Sequence, residues 1–248
     1  MFPIRDHNPS RNPAFVTYML MGINVAVFLA MVPGFAPDAD IARLYANWAF
    51  IPARLSSGDG FLTLVTSQFL HGGFMHLAGN MLFLFVFGDN MEDEMGALPF
   101  LGFYLASGVA AALAQYAGAP MSPIPMVGAS GAIAGVMGGY LLLFPRARVD
   151  VLVIFVIFFK VFPIPAWIVL GIWFVIQVAS GVGTPADVGG VAFLAHAGGF
   201  VAGLAMTLPL FKRLGGMTFW SRHGGTPPHP QTHYRFHESR VPIVRRRK

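Results

Sequence analysis

A handful of polar side chains sit inside long apolar runs, where polar groups are costly and so mark candidate functional positions. They are His71, His76 and Asn80 in the run 69–90, Ser130 in the run 127–144, and His196 in the run 191–211. A serine hydroxyl within hydrogen-bond reach of an imidazole is a nucleophile with its base. Ser130 lies in Gly128-Ala129-Ser130-Gly131, where the glycines allow close backbone approach. It opens a helix, so its own N–H points out with the helix dipole behind it. The Asn80 amide, one turn from His76, and a His76 ring nitrogen are further donors for an oxyanion. Taken singly these residues have plainer readings. A serine in an apolar helix usually packs and bonds its own backbone, and His71, near a boundary, reads as structural. The combination of Ser130, His196, His76 and Asn80 at one depth is what points to chemistry.

That shared depth depends on the elements carrying them. The chain has 248 residues, of which 55% are hydrophobic and 11% charged, against about 25% charged in soluble domains. A spanning helix needs about 20 mainly apolar residues. Six runs qualify, at about 15–32, 69–90, 97–117, 127–144, 164–180 and 191–211. The expected fold is an all-α membrane protein, a six-transmembrane-helix bundle with cytoplasmic N- and C-termini. Residues 1–14 form a polar cytoplasmic segment with no signal peptide, 15–212 the six-span domain, and 213–248 a basic, His-rich, disordered tail. The apolar stretch 149–162, interrupted by Lys160 and followed by Pro163 and Pro165, is expected to be a connector or interfacial segment. The first loop, 33–68, is apolar but broken by Pro, Gly and Ser, and is expected to dip into the interface.

Charge placement agrees with this count. With both ends inside, the inner segments hold every Lys and Arg except Arg43 and Arg54, as basic residues favour the cytoplasmic side. The net charge of +5 is concentrated after residue 211. Beside a span it reads as a topology signal and a contact for anionic lipid headgroups, with no nucleic-acid partner implied. Absence of cysteine excludes disulfides and thiol chemistry. His229, His233 and His237 recur every four residues, but Pro228 and Pro230 argue against a metal-binding helix.

Spans two, four and six then begin on the outer side, placing Ser130, His196 and His76 within roughly 5–11 Å of that boundary. Ser130, Ala134 and Gly138 form a small-residue stripe, and His196, Gly199 and Gly203 form another; such stripes let membrane helices approach closely. No carboxylate shares this depth, since Asp187 precedes span six and Asp89 lies at the far end of span two. The reading is a dyad whose imidazole is held by packing.

These motifs resemble the rhomboid family over about residues 15–212. They are Gly128-Ala129-Ser130-Gly131, His196-Ala197-Gly198-Gly199 continuing to Gly203, and His76-Leu77-Ala78-Gly79-Asn80, with echoes at Glu92, Gly96 and Phe144-Pro145-Arg146-Ala147-Arg148. The resemblance implies a six-helix intramembrane serine endopeptidase with a Ser130–His196 dyad. His76, Asn80 and the Ser130 amide would serve the oxyanion, and no cofactor is needed. It implies single-span or otherwise membrane-anchored protein substrates, and a gate formed by the fifth span and the loop after it. With no organelle targeting segment apparent, the expected location is a prokaryotic plasma membrane, and the depth of the three polar spans opens the site to the extracytoplasmic side. Some relatives stack a tyrosine under the histidine; Ala134 occupies that position here. Metalloprotease His-Glu-x-x-His and aspartyl Gly-x-Gly-Asp patterns are both missing. The remaining alternatives are a non-proteolytic membrane chaperone or scaffold, and a small transporter.

Overall fold

The computed structural model describes residues 2–31, 38–155, 158–183, 190–232 and 234. Six helices overlap the six apolar runs: α1 (Phe15–Ala30), α5 (Phe74–Met95, displaced by five residues from its run), α6 (Ala97–Gly118), α7 (Ser130–Leu143), α8 (Ala166–Gly183) and α9 (Phe193–Leu214). The first loop folds into α2 (Asp38–Trp48), α3 (Pro52–Ser56), α4 (Thr63–Thr66) and a 3-10 turn, Ser67–Phe69, with Phe61 and Leu62 exposed. Three helices, α6, α8 and α9, are long and apolar enough to cross a membrane. Counting the pair Thr63–Phe69 and Phe74–Met95, bent by 96°, as one broken span brings the number to four. The protein is thus a mainly helical, multi-pass membrane protein.

α1 and α7 are apolar but have only 16 and 14 residues. α7 starts three residues later than its apolar run because Pro123, Pro125 and a Gly128 with φ of +127° hold the preceding chain out of helix. In that chain Met126 exchanges backbone hydrogen bonds with Phe50. The shortness of α7 follows from its location. From Gly131 to Tyr140 every residue is buried, so protein rather than lipid surrounds it.

The expectation of an all-α chain is corrected by a three-stranded antiparallel sheet. Its order is β1 (Phe2–Asp6), β2 (Arg148–Phe155), β3 (Phe158–Pro165). The connector at 149–162 is therefore a hairpin, and the N-terminal segment supplies an edge strand pairing Pro3 with Val151. Runs of Val, Ile and Phe favour strands over helix. Pro3, Pro163 and Pro165 are tolerated because they lie on the edge strands. Where disorder is expected from residue 213, the described residues form α10 (Met217–His223), whose Phe219 is buried. Trp220 donates to the Leu142 carbonyl, and the chain beyond α10 returns to the sheet, where Thr232 N–H donates to the His7 carbonyl. His233, His237 and Asp187 lie outside the described residues.

Glycines set the separation of α7 and α9. A Cβ built on Gly199 would sit on the Gly131 carbonyl oxygen, one on Gly203 on the Gly135 carbonyl oxygen, and one on Gly138 on the Phe200 carbonyl oxygen. The two backbones therefore touch. The α7 face in contact is Gly131, Gly135 and Gly138, rotated slightly from the expected stripe of Ser130, Ala134 and Gly138.

The family echoes acquire physical roles here. The Glu92 carboxylate accepts from the Val16 and Thr17 N–H groups and the Thr17 hydroxyl, at 2.9, 2.8 and 2.9 Å. It thereby caps the first turn of α1, whose amides have no intrahelical acceptor. Gly96, with φ of +81°, makes the turn from α5 into α6.

Candidate active site

Because α7 and α9 pack backbone to backbone, their first turns are brought together. His196 Nε2 and Ser130 Oγ are 2.8 Å apart. Both line a cavity of about 590 Å³ that also touches His76, Asn80, Gly128 and Trp173. All four residues singled out from the sequence, Ser130, His196, His76 and Asn80, therefore border one space.

The donors are differently placed. The Ser130 N–H opens α7 and has no acceptor within the helix. Asn80 is buried, and its Nδ2 has no hydrogen-bond partner among the described residues. A buried amide donor without a partner is costly unless something visits it. His76 is more exposed and lies over Gly128. A Cβ there would come within 2.7 Å of His76 Cε1 and 2.8 Å of Nε2. Gly128 is thus required twice, by its backbone conformation and by the imidazole above it. His71 is buried and packs edge-on against the His76 ring at 5.2 Å, so it supports His76 rather than lining the cavity.

The sequence reading left His196 held by packing alone. The structure corrects this, since His196 Nδ1 lies 2.8 Å from Gln177 Oε1 on α8. Trp173, one turn earlier, lies against the imidazole with centroids 5.8 Å apart and planes at 34°. The aromatic support lost at Ala134 is therefore supplied from another helix. The signal for Gln177 was present: it is a polar side chain inside the fifth apolar run, as conspicuous as Asn80 in the second.

The opposite end of the bundle carries a different polar cluster. Asp6 Oδ2 accepts from Asn90 Nδ2 at 2.6 Å and the Tyr140 hydroxyl at 3.0 Å, and Oδ1 accepts from Asn8 N–H. Burial, followed by the nearby Asp89 carboxylate, pushes the Asp6 carboxyl up to about 7, against the pull of those three donors. Asp150, on β2, is drawn the other way. Burial works to raise it, but bonds from His7 and Arg5 at 2.8 and 2.7 Å hold it below its ordinary value. These groups are engaged with one another and border no cavity shared with Ser130.

Fold and site together define a polytopic membrane protein with a serine–histidine pair beneath a cavity near one end of the bundle. The comparisons name the class. A rhomboid-domain family model matches residues 59–213. Rhomboid protein 1, mitochondrial, of Saccharomyces cerevisiae is 31% identical over 204 residues, covering 78% of this chain and 52% of the relative. Rhomboid protease GluP of Bacillus subtilis is 33% identical over 130 residues, covering 52% of this chain and 24% of that protein. Putative rhomboid protease YdcA of the same organism is 40% identical over 78 residues, 32% of this chain and 39% of that one. The match spans about half of the yeast relative's length and less of the other two. This chain belongs to the rhomboid family.

Proposed function

We propose that the chain is an intramembrane serine endopeptidase that hydrolyses peptide bonds in or near the transmembrane segments of membrane-anchored proteins. The observation carrying this reading is the 2.8 Å approach of His196 Nε2 to Ser130 Oγ at the edge of a cavity lined by Asn80, whose Nδ2 has no hydrogen-bond partner among the described residues. The name of the Bacillus subtilis relative, a rhomboid protease, supports the same reaction.

In the proposed reaction His196 Nε2 accepts the Ser130 hydroxyl proton as Oγ attacks the scissile carbonyl carbon. The developing oxyanion is met by the Ser130 N–H, Asn80 Nδ2 and His76, donors aimed where charge appears. His196 then delivers the proton to the leaving amine nitrogen, and the C–N bond breaks. Water in the cavity adds to the acyl-enzyme, giving its proton to His196, which returns one to Ser130 as the acid departs. No cofactor enters the scheme.

The family match and the six apolar helices support a six-span arrangement with both termini cytoplasmic. In that arrangement the cavity faces the extracytoplasmic side of a prokaryotic plasma membrane. The basic tail would contact anionic headgroups on the cytoplasmic face, and single-span proteins would enter beside α8. The test is cleavage of a fluorescent single-span reporter by purified protein beside Ser130→Ala and His196→Ala. Cleavage by wild type alone supports the reading. Equal cleavage by all three refutes it. If no reporter is cleaved, labelling of wild type but not Ser130→Ala by a fluorophosphonate supports an activated serine, and absence of labelling overturns it.

A further inference from the structure

We infer that Gln177 is a positioning residue that converts the Ser130–His196 pair into a three-member relay, Gln177–His196–Ser130. This inference rests on the reading of Ser130 as nucleophile.

The argument begins with α8. Its buried residues are Ala166, Leu170 and Gln177, spaced by four and seven, while Ile172, Val175, Ile176, Val178 and Val182 are exposed. One stripe of α8 therefore faces protein, and Gln177 is the polar member of that stripe. A long, flexible amide buried in an apolar helix must find partners. It finds two. Its Nε2 donates to the Trp173 carbonyl one turn back at 3.4 Å, and its Oε1 faces His196 Nδ1 at 2.8 Å.

These two bonds set a direction. An amide nitrogen only donates and its oxygen only accepts. With Nε2 turned to a carbonyl, Oε1 is the atom left for the imidazole, and it requires a proton on Nδ1. A neutral imidazole protonated at Nδ1 is unprotonated at Nε2. Nε2 is then the acceptor for the Ser130 hydroxyl 2.8 Å away. Turning the amide over would oppose its oxygen to the Trp173 carbonyl and present N–H to Nδ1, favouring the tautomer that cannot act as base. The chain Trp173 carbonyl, Gln177 amide, His196 imidazole, Ser130 hydroxyl thus has one consistent order of donors and acceptors.

The residue type also fits its surroundings. A carboxylate would orient the ring as well and would stabilise the imidazolium more, but a charge at this depth is expensive. An amide supplies orientation without charge. Trp173 and Gln177 lie on one face of one helix, one against the ring plane and the other against its edge. The placement of α8 therefore decides whether the base is correctly held.

The experiment uses the full-length chain in detergent. It compares wild type, Ser130→Ala, Gln177→Leu and Gln177→Glu for fluorophosphonate labelling, reporter kcat and KM, and pH profile. Wild-type labelling that Ser130→Ala abolishes establishes the nucleophile; its absence would sink the underlying reading, separately from this one. Given an active wild type, Gln177→Leu is expected to lower kcat and labelling rate about 10- to 100-fold with KM unchanged, as for loss of a bond to a group that becomes charged. Gln177→Glu is expected to restore most of that rate and to move the acid limb of the kcat/KM profile to higher pH. Gln177→Leu with wild-type kcat and labelling overturns the relay. So does a Gln177→Glu profile that superimposes on wild type, since a merely structural glutamine would leave that limb in place. Should Gln177→Leu fail to fold, the Gln177→Glu profile decides alone.

Discussion

Buried carboxylates at one end of the bundle and the buried Asn80 amide nitrogen at the other are handled in opposite ways. At the sheet end the carboxylates are engaged: Glu92 by the amides of α1, Asp6 by Asn8, Asn90 and Tyr140, Asp150 by Arg5 and His7. At the Ser130 end a buried donor, Asn80 Nδ2, has no partner among the described residues, and a cavity of about 590 Å³ lies beside it. Burial of polar groups is tolerable when they satisfy one another and costly when they do not. The sheet end is therefore built for cohesion, and the Ser130 end carries a cost that a reacting carbonyl would relieve. Between them, the glycine contacts of α7 and α9 fix the position of both.

This contrast can be broken or sharpened in steps. The largest effect belongs to Ser130→Ala and His196→Ala, each expected to lower reporter cleavage by about 10⁴-fold or more. Their melting temperatures should stay near wild type, measured by thermal unfolding in detergent. A comparable fall in stability would mean the pair is structural.

Next is Asn80→Ala, expected to reduce kcat by about 10²–10³ with KM and stability little changed, the signature of a lost oxyanion donor. Steady-state kinetics would check it. A change confined to KM would place Asn80 in ground-state binding.

Gly203→Leu would thrust a side chain into the Gly135 carbonyl. Overpacking of this kind costs about 1–3 kcal/mol or more, so both stability and activity should fall together. Activity lost with an unchanged melting point would show that the helix contact tunes the site without holding the fold.

Glu92→Ala leaves the first turn of α1 uncapped and is expected to cost about 1–3 kcal/mol in stability. kcat below the melting range should be close to wild type, because Glu92 lies at the sheet end. A large kcat defect would show that the two ends are coupled.

A further effect concerns pH. The Asp6 carboxyl is raised to about 7 in the fold from an ordinary 3.8, so the folded state holds its proton longer than the unfolded chain does. Between those values the folded state binds more protons, and stability falls as pH rises through this window. The contribution is fully present below about 4 and lost by the time pH passes 7. Asp6→Asn should flatten this slope in melting curves taken between pH 5 and 8. An unaltered slope would assign the dependence to other groups.

Much of this was legible in the residues themselves. Apolar runs of about 20 residues locate helices, since a spanning chain must satisfy its own backbone hydrogen bonds. Five of the six lie within about three residues of the observed helices, while the second, read as 69–90, is displaced by five residues to Phe74–Met95. Ser130, His196, His76 and Asn80 stood out because polar groups there need a reason. Gln177 met the same criterion and was passed over, since its partner lies on another helix. The sheet was also missed. Residues 149–162 are apolar enough for several structures, and β1 lies more than 140 positions away, beyond any local periodicity. The tail beyond α9 likewise reads as polar and Pro-rich, and tertiary contacts, among them those with Leu142, Asn90 and His7, give its described part shape.

The sequence by itself determined where the six apolar helices lie to within about a turn and a half, which side chains are out of place in an apolar helix, and that small residues let α7 and α9 approach closely. These are local properties: hydrophobicity, spacing of small residues, and the conformational range of glycine. Only the tertiary structure decided that Gln177 and Trp173 meet His196, that Glu92 caps α1, and that β1 closes on β2. Each of those depends on the rotation and height of one element against another, which are set by packing summed over the whole bundle.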